Sequence, residues 1–446
     1  MMIPRSKTPI SIINLGCPKN LVDSEEVLTY LSARGFVNEK NIINTRAILL
    51  NTCCFIDDAK EESIEKILQA VQIKKENPEC LILVFGCMPV RYLEELKQAI
   101  PEVDQFFPGT NPEEIYRYLV KFLFHEQEQY FDELTSSVPS GRLWLENPYF
   151  AYLKVAEGCD YQCSFCVIPQ IRGPYRSILP DKIVAEATGL LNRGVKELIL
   201  VAQHTTAYGR DLNPQRSLVD LLQALESING NFWIRILYAH PMEIKDSLLH
   251  YISKSKKICH YLDIPIQHSH EIILKNMKRK ENSDELLNLF QKLLKKIPDI
   301  ALRTSVLVGF PGETEKMFSH LIDFIQKIKF MHLGCFKFSA QAGTPAASMR
   351  GQVPVKIREQ RAVKIITFQQ KIIAGIQSRF VGSVHKVLVE EFLNEGPYNY
   401  AGRAVFQAPE IDGVVFIRGS NLKCGEFYSV KIEDFEQYDL FGTVIL

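Results

Sequence analysis

The run Gly158-Cys159-Asp160-Tyr161-Gln162-Cys163-Ser164-Phe165-Cys166 follows an apolar, strand-like stretch, Tyr152–Glu157, and carries a Cys-x3-Cys-x2-Cys array. A 4Fe-4S cluster is usually held by four cysteines, so three thiolates leave one iron open to an external molecule. A structural zinc site would want separated cysteine pairs or a fourth Cys or His ligand, and no neighbouring His supplies one. A disulfide framework fits no better. The chain is long, its 11 cysteines are an odd number, and its start, Met1-Met2-Ile3-Pro4-Arg5-Ser6-Lys7, has no apolar signal region.

Outward from this run, strand-then-helix patterning repeats six times over 149–376. The candidate strands are Tyr152–Glu157, Glu197–Gln203, Trp233–Ala239, Tyr261–Gln267, Leu302–Phe310 and His332–Ala340. Such alternation predicts a partial (βα)6 barrel with the cysteines at its carboxyl-end face, where barrels of this kind place chemistry. The same face takes Gln203, His204 and Thr205 after the second strand and Gly309-Phe310-Pro311-Gly312-Glu313 after the fifth. The glycines permit a tight turn or close backbone approach. No Gly-Lys-Ser/Thr follows, which excludes a phosphate-binding P-loop.

Residues 1–124 alternate apolar runs with amphipathic stretches, the pattern of a parallel α/β sheet. Cys17 ends Ile10–Gly16, Cys53 follows Ile48–Thr52 and Cys87 follows Leu81–Gly86, so all three stand at carboxyl ends of strands. Open α/β sheets build sites at that edge, so these cysteines can converge on a second three-thiolate site. Core packing is the bland reading for buried cysteines. Residues 125–148 lose periodicity and read as a linker. Over 377–446, short runs at Val384–Val389, Val414–Ile417, Tyr428–Ile432 and Gly442–Leu446, punctuated by glycines, predict a small antiparallel β-barrel.

Composition bounds the rest. With 446 residues, 46% of them hydrophobic, the chain is expected to form about three domains. Its 52 basic and 52 acidic residues cancel, so nothing global advertises a polyanion as partner. No apolar run approaches the roughly 18 residues of a membrane span, and a reducing cytoplasm is the expected location.

The Cys159, Cys163, Cys166 array resembles that of the radical S-adenosylmethionine superfamily. The frames Leu15-Gly16-Cys17-Pro18-Lys19-Asn20, Asn51-Thr52-Cys53 and Gly86-Cys87 resemble the N-terminal domain of its methylthiotransferases. The resemblance covers nearly the whole chain and implies two 4Fe-4S clusters, one on each cysteine trio, with S-adenosylmethionine on the open iron at Cys159, Cys163 and Cys166. It implies Phe165 near the adenine, with Gln203, Gly309, Gly312 and Arg176 as further cofactor contacts. The third segment resembles the OB-like TRAM domain, which usually presents substrate in these enzymes. In that family, cleavage of the cofactor gives a radical that removes hydrogen from the substrate, and the cluster on Cys17, Cys53 and Cys87 carries the sulfur that is methylated and transferred.

Leu15–Glu25 and Cys163–Ser177 look like the branch that modifies the β-carbon of an aspartate on small-subunit ribosomal protein number twelve, rather than the branch that modifies a transfer RNA adenosine. Residues 377–446 carry six basic and ten acidic side chains, a balance expected to repel RNA and attract a basic protein. A flavodoxin or ferredoxin as low-potential electron donor and a sulfur donor are the other implied partners, with no membrane and no direct transfer RNA substrate. Arg172 and Arg176 are candidates to clamp a carboxylate of cofactor or substrate. Cys54, His204 and His240 depart from the branch's usual wording, and Cys54 is placed to compete for iron or be oxidised. His260, His268 and His270 read as packing or surface residues, and Lys275–Lys280 as a solvated helix face.

Overall fold

The computed structural model describes residues 7–124, 141–145 and 147–445. They form two compact units, one of Met1–Glu146 with Val167–Gly173 and one of Asn147–Cys166 with Pro174–Leu446.

In the first unit, strands β1 (Thr8–Asn14), β2 (Phe36–Asn38), β3 (Ala47–Thr52), β4 (Leu81–Gly86) and β5 (Gln105–Pro108) make one parallel sheet in the order β2-β1-β3-β4-β5. Helices α1 (Pro18–Ser32), α2 (Asp57–Glu76), α3 (Cys87–Ala99) and α4 (Pro112–Phe124) connect and follow the strands. Strand β3 is buried at every position, as expected for a strand covered on both faces. Ile48, Leu50, Ile82 and Val84 pack on one face, while Leu49, Leu83 and Phe85 pack on the other. The short helix α5 (Ile168–Arg172) belongs here too, with Val167 and Ile171 in the first of these clusters. Most of the expected linker lies outside the described residues. Its end, 141–145, packs on α1 through Arg142 to Glu25 at 3.0 Å and the Leu143 N–H donating to Thr29 Oγ1 at 2.7 Å.

In the second unit, β6 (Phe150–Lys154) leads into a small hairpin of β7 (Ala156–Glu157) and β8 (Arg176–Ser177). Strands β9 (Glu197–Val201), β10 (Trp233–Ile236), β11 (Ile258–Asp263), β12 (Ala301–Val308) and β13 (His332–Lys337) complete a six-stranded sheet in the order β13-β12-β11-β10-β9-β6. Its pairs are parallel, the open partial barrel expected from the sequence. The helices are α6 (Pro180–Asn192), α7 (Leu218–Glu226), α8 (Asp246–Ile252), α9 (Glu271–Asn276), α10 (Ser283–Lys296), α11 (Glu315–Ile328) and α12 (Val355–Gln377). Most strands end two to four residues earlier than the apolar runs suggest. Tyr238 (φ 59°) and Gly309 (φ 74°) turn left-handed just beyond β10 and β12 and interrupt the regular ladder there, while Gln267 (φ 66°), beyond β11, still bridges Val306 of β12.

The C-terminal segment closes as a five-stranded barrel of β14 (Val384–Phe392), β15 (Tyr400–Ala404), β16 (Val415–Arg418), β17 (Phe427–Glu436) and β18 (Asp439–Ile445). It is not wholly antiparallel, because β16 and β18 pair in parallel to close it. The loop 405–412 of this barrel docks near the amino ends of the larger sheet's strands. Arg235 Nη1 donates to Val405 O at 2.8 Å, His332 Nε2 lies 2.7 Å from Phe406 O, and Arg303 Nη1 reaches Asp412 Oδ1 at 2.7 Å. Tyr152 and Tyr261 donate to Glu410 and Asp412, each at 2.8 Å.

Candidate iron-sulfur and cofactor sites

In the first unit, Cys17 is the N-cap of α1 and Cys87 the first residue of α3, so both thiols sit at helix N-termini, where the helix dipole favours negative charge. Cys53 follows β3. Asn20, fully buried, reaches two of the three. Its Oδ1 lies 3.8 Å from Cys17 Sγ and 3.7 Å from Cys87 Sγ, and its Nδ2 donates to Leu15 O at 2.8 Å. Gly16, at φ 96°, passes so close to Cys53 that an added Cβ would stand 2.6 Å from the Cys53 Cβ. Burial pushes the Cys53 thiol up to about 11 and the Cys87 thiol to about 12, and neighbouring thiols add to both shifts. Among the described residues no three His, Cys, Asp or Glu close on a single ion. Three neighbouring thiols whose charges act on one another fit instead a larger multi-iron cluster with an open position.

Arg172 completes this constellation in an unforeseen way. It donates to Asp23 Oδ2 at 2.7 Å, Asn20 Oδ1 at 2.5 Å and Cys87 Sγ at 3.3 Å. The carboxylate it clamps is the chain's own Asp23. Cys54, by contrast, points away: it is fully buried in the apolar cluster with Ile48 and Met88, and its thiol donates to Cys87 O at 3.3 Å.

In the second unit, Cys159, Cys163 and Cys166 are half-buried in the loop after β7. Burial raises the Cys159 and Cys163 thiols, and the charge on Cys163 adds to the rise at Cys159. Arg279 hydrogen-bonds to the Cys163 thiol and opposes its rise. Arg279 is itself held to Glu281 at 2.5 Å, so the Lys275–Lys280 run is not simply a solvated face. Phe165 packs against the apolar group of Ile273, Met277, Leu307, Phe310 and Phe338. Three thiols on one short loop, beside an aromatic, fit a cluster with one open iron.

The other expected cofactor contacts divide. Gln203 donates to Glu157 at 2.6 Å, while Arg176 is exposed on β8. Gly309 is required by its turn and by Arg358, whose Cγ would lie 2.3 Å from an added Cβ; at Gly312 (φ 84°) that space is open. His268 is fully buried 3.7 Å from Glu313, and His260 meets Asp299 at 2.8 Å. His270 caps α9. Tyr161 stacks on His240 at 4.3 Å and meets His204 edge-on at 5.1 Å. His204 is 2% exposed, and neither of its ring nitrogens finds a hydrogen-bond partner among the described residues.

The chain matches the model of an uncharacterized protein family, UPF0004, over residues 9–108, the radical SAM superfamily over 153–325 and the TRAM domain over 381–445. It is 44% identical to the ribosomal protein uS12 methylthiotransferase RimO of Lachnoclostridium phytofermentans, covering 97% of this chain and 99% of that protein. The protein of that name from Carboxydothermus hydrogenoformans is likewise 44% identical, with 97% and 99% covered. The chain belongs to the RimO family. RimO proteins are radical S-adenosylmethionine methylthiotransferases, so this chain is an enzyme that uses a 4Fe-4S cluster and S-adenosylmethionine. Among solved structures the fold is similar to the methyltransferase TsrM of Kitasatospora setae (TM-score 0.57, 12% identity, 77% of each chain covered). It is also similar to OxsB (TM-score 0.51, 14% identity, 82% of this chain and 56% of that one).

The RimO-family chain differs from the charge reading of its TRAM segment. Exposed acidic Glu391, Glu395, Glu410, Glu433, Asp434 and Glu436 stand against exposed basic Arg379, Lys386, Arg418, Lys423 and Lys431, so only one of the four excess negative charges is on the exposed set. Much of the acidic excess is paired instead: Glu390 binds Arg403 within the barrel, while Glu410 binds Tyr152, Asp412 binds Arg303 and Glu426 binds Lys196. No helix among the described residues is long and apolar enough to cross a membrane.

Proposed function

We propose that this enzyme adds a methylthio group to the β-carbon of an aspartate in ribosomal protein uS12, in the cytoplasm, using two 4Fe-4S clusters. The observation that carries the reading is near-full-length similarity to proteins named uS12 methylthiotransferases, joined to a second trio of converging cysteines in the first unit. Substrate choice rests on that similarity, since the exposed charge of the TRAM segment is close to balanced.

When bound, the clusters and S-adenosylmethionine supply a one-electron cleavage that opens an unactivated C–H bond, and a sulfur to be methylated and passed on. The chain's own residues do the rest. Cys159, Cys163 and Cys166 hold the first cluster, Phe165 offers the adenine an apolar wall, and Gln203 and Gly312 line the carboxyl-end face beside it. Cys17, Cys53 and Cys87 would hold the second, with Asn20 bracing the Cys17 and Cys87 thiols. A low-potential flavodoxin or ferredoxin and a sulfur donor are the remaining partners.

The test is anaerobic reconstitution with S-adenosylmethionine, reductant and sulfide, offering uS12 and transfer RNA together and locating the added methylthio group by mass spectrometry. A tag on a uS12 aspartate is the expected result, and a tag on an adenosine would overturn it. Two clusters predict about eight irons per chain by cubane stoichiometry. Replacing Cys17, Cys53 and Cys87 by Ala should halve that count and abolish methylthio transfer while 5'-deoxyadenosine still forms.

A further inference from the structure

The segment Val167–Gly173, which begins directly after the third cysteine of the first cluster motif, packs with the first unit rather than with the partial barrel. Its last helical residue, Arg172, has a side chain only 10% exposed. One guanidinium nitrogen, Nη1, is held by Asp23 Oδ2, whose side chain is fully buried. The other, Nη2, points between Asn20 Oδ1 and Cys87 Sγ. The planar fork thus anchors one arm on a carboxylate and aims the other at a sulfur, a division that a lysine ammonium cannot reproduce with the same geometry. Asn20 braces the aim from the side, because its oxygen takes the same Nη2 and sits beside both the Cys17 and Cys87 thiols.

We infer that Arg172 is a positioning residue of the second cluster site, fixing the Cys87 side chain and donating an N–H···S hydrogen bond to its sulfur, which stabilises the more reduced, more negative cluster. The inference rests on the reading of Cys17, Cys53 and Cys87 as cluster ligands. The physical argument is direct. Hydrogen bonds to cluster sulfurs are among the factors that set an iron-sulfur potential. A donor at Cys87 draws electron density from the ligand, so an added electron is better tolerated. A charge-assisted bond in a site nearly closed to water is among the stronger of its kind. Asp23 holds the arginine.

The test uses the full chain with Cys159, Cys163 and Cys166 replaced by Ala, so that only the second cluster remains, with Arg172→Met, Arg172→Lys and Asp23→Asn added singly. Iron is counted, and the midpoint potential is measured by a titration with a chemical reductant followed by electron paramagnetic resonance. The expected result is about four irons in the parent by cubane stoichiometry, retained in the three variants. The midpoint should move to more negative potential in Arg172→Met, less so in Arg172→Lys, and not in that direction in Asp23→Asn, which keeps the donor. An unmoved potential in Arg172→Met with iron retained would overturn the inference. So would a loss of iron equal in all three variants, which would make Arg172 a structural prop only. An iron-free parent would instead sink the reading of the three cysteines as ligands, and this inference with it.

Discussion

Arg403 Nη2 lies 2.6 Å from Glu197 Oε2, with both side chains closed to solvent, although one belongs to the C-terminal barrel and the other begins β9. Arg235 takes the other oxygen of Glu197 at 2.6 Å, and Glu390 takes Arg403. Two arginines and two carboxylates thus cancel in a site where Glu197, Arg235 and Arg403 are buried and Glu390 reaches only partly to the surface. Breaking a buried pair leaves an uncompensated charge and costs about 3–5 kcal/mol. Glu197→Gln should therefore destabilise the second unit by that order and make the C-terminal barrel more sensitive to protease. Urea unfolding followed by limited proteolysis checks this, and a loss below about 1 kcal/mol, the scale of a surface pair, would show the network to be dispensable.

The metal-free first unit should be pH-sensitive in a defined direction. Cys53 and Cys87, raised to about 11 and about 12 chiefly by burial, remain protonated thiols well above neutrality. Iron takes the thiolate, so loading releases protons and should strengthen as pH rises from 7 to 9, and weaken on acidification. Folding responds oppositely. A thiol whose folded value lies above its unfolded value, about 8.5, stabilises the fold below that value and loses the contribution as pH rises toward the folded one. Anaerobic unfolding of metal-free protein between pH 7 and 10 should show stability falling at the alkaline end, and the loaded protein should not share that fall. Identical profiles would contradict the assignment.

The apolar runs of the sequence announced both parallel sheets, because strands covered on two faces are written in Ile, Leu and Val. They did not announce where the strands stop, since the left-handed backbone at Tyr238 falls inside an apolar run that carries no mark of it. Strand β15, Tyr400–Ala404, carries Gly402 and Arg403 and no β-branched residue, so no local signal marked it. The parallel pairing of β16 with β18 arises only on closing the barrel. At the candidate sites the positions of the six cysteines, after strands and on one loop, were legible from spacing and pattern, while their reading as ligands came from the family resemblance. Arg172 was legible as a carboxylate clamp, but its carboxylate, Asp23, lies far away in sequence. The hub role of Asn20 needed three dimensions, as did the inward turn of the TRAM segment's acidic side chains.

Cys54 should prove to be a packing residue. Its thiol is raised to about 12, which suppresses the reactive thiolate; burial is the chief cause, although Arg91 hydrogen-bonds to it and opposes the rise. Cys54→Ala is expected to cost about 1 kcal/mol, the loss of a small buried group, and to leave the iron count unchanged. Cys53→Ala, one position earlier, should lower it. Iron loss in Cys54→Ala equal to that in Cys53→Ala would make Cys54 a ligand after all.

His204 and His240 give the second unit an acid-labile point. Burial above all holds His204 down to about 3 and His240 to about 2, with the Arg279 charge pushing both the same way, so both are neutral in the fold. Unfolded histidines protonate near 6.5. Below that value the unfolded chain binds protons that the folded one refuses, so the stability present above 6.5 is lost progressively as pH falls toward the folded values. At pH 5 the contribution of His204 alone should be of order 1–2 kcal/mol. His204→Asn in the anaerobically reconstituted protein should flatten the dependence of unfolding free energy on pH between 6.5 and 5, and His204→Asn with His240→Asn should flatten it further. An unchanged slope in the double variant would show that these imidazoles are hydrated in solution or already charged in the fold.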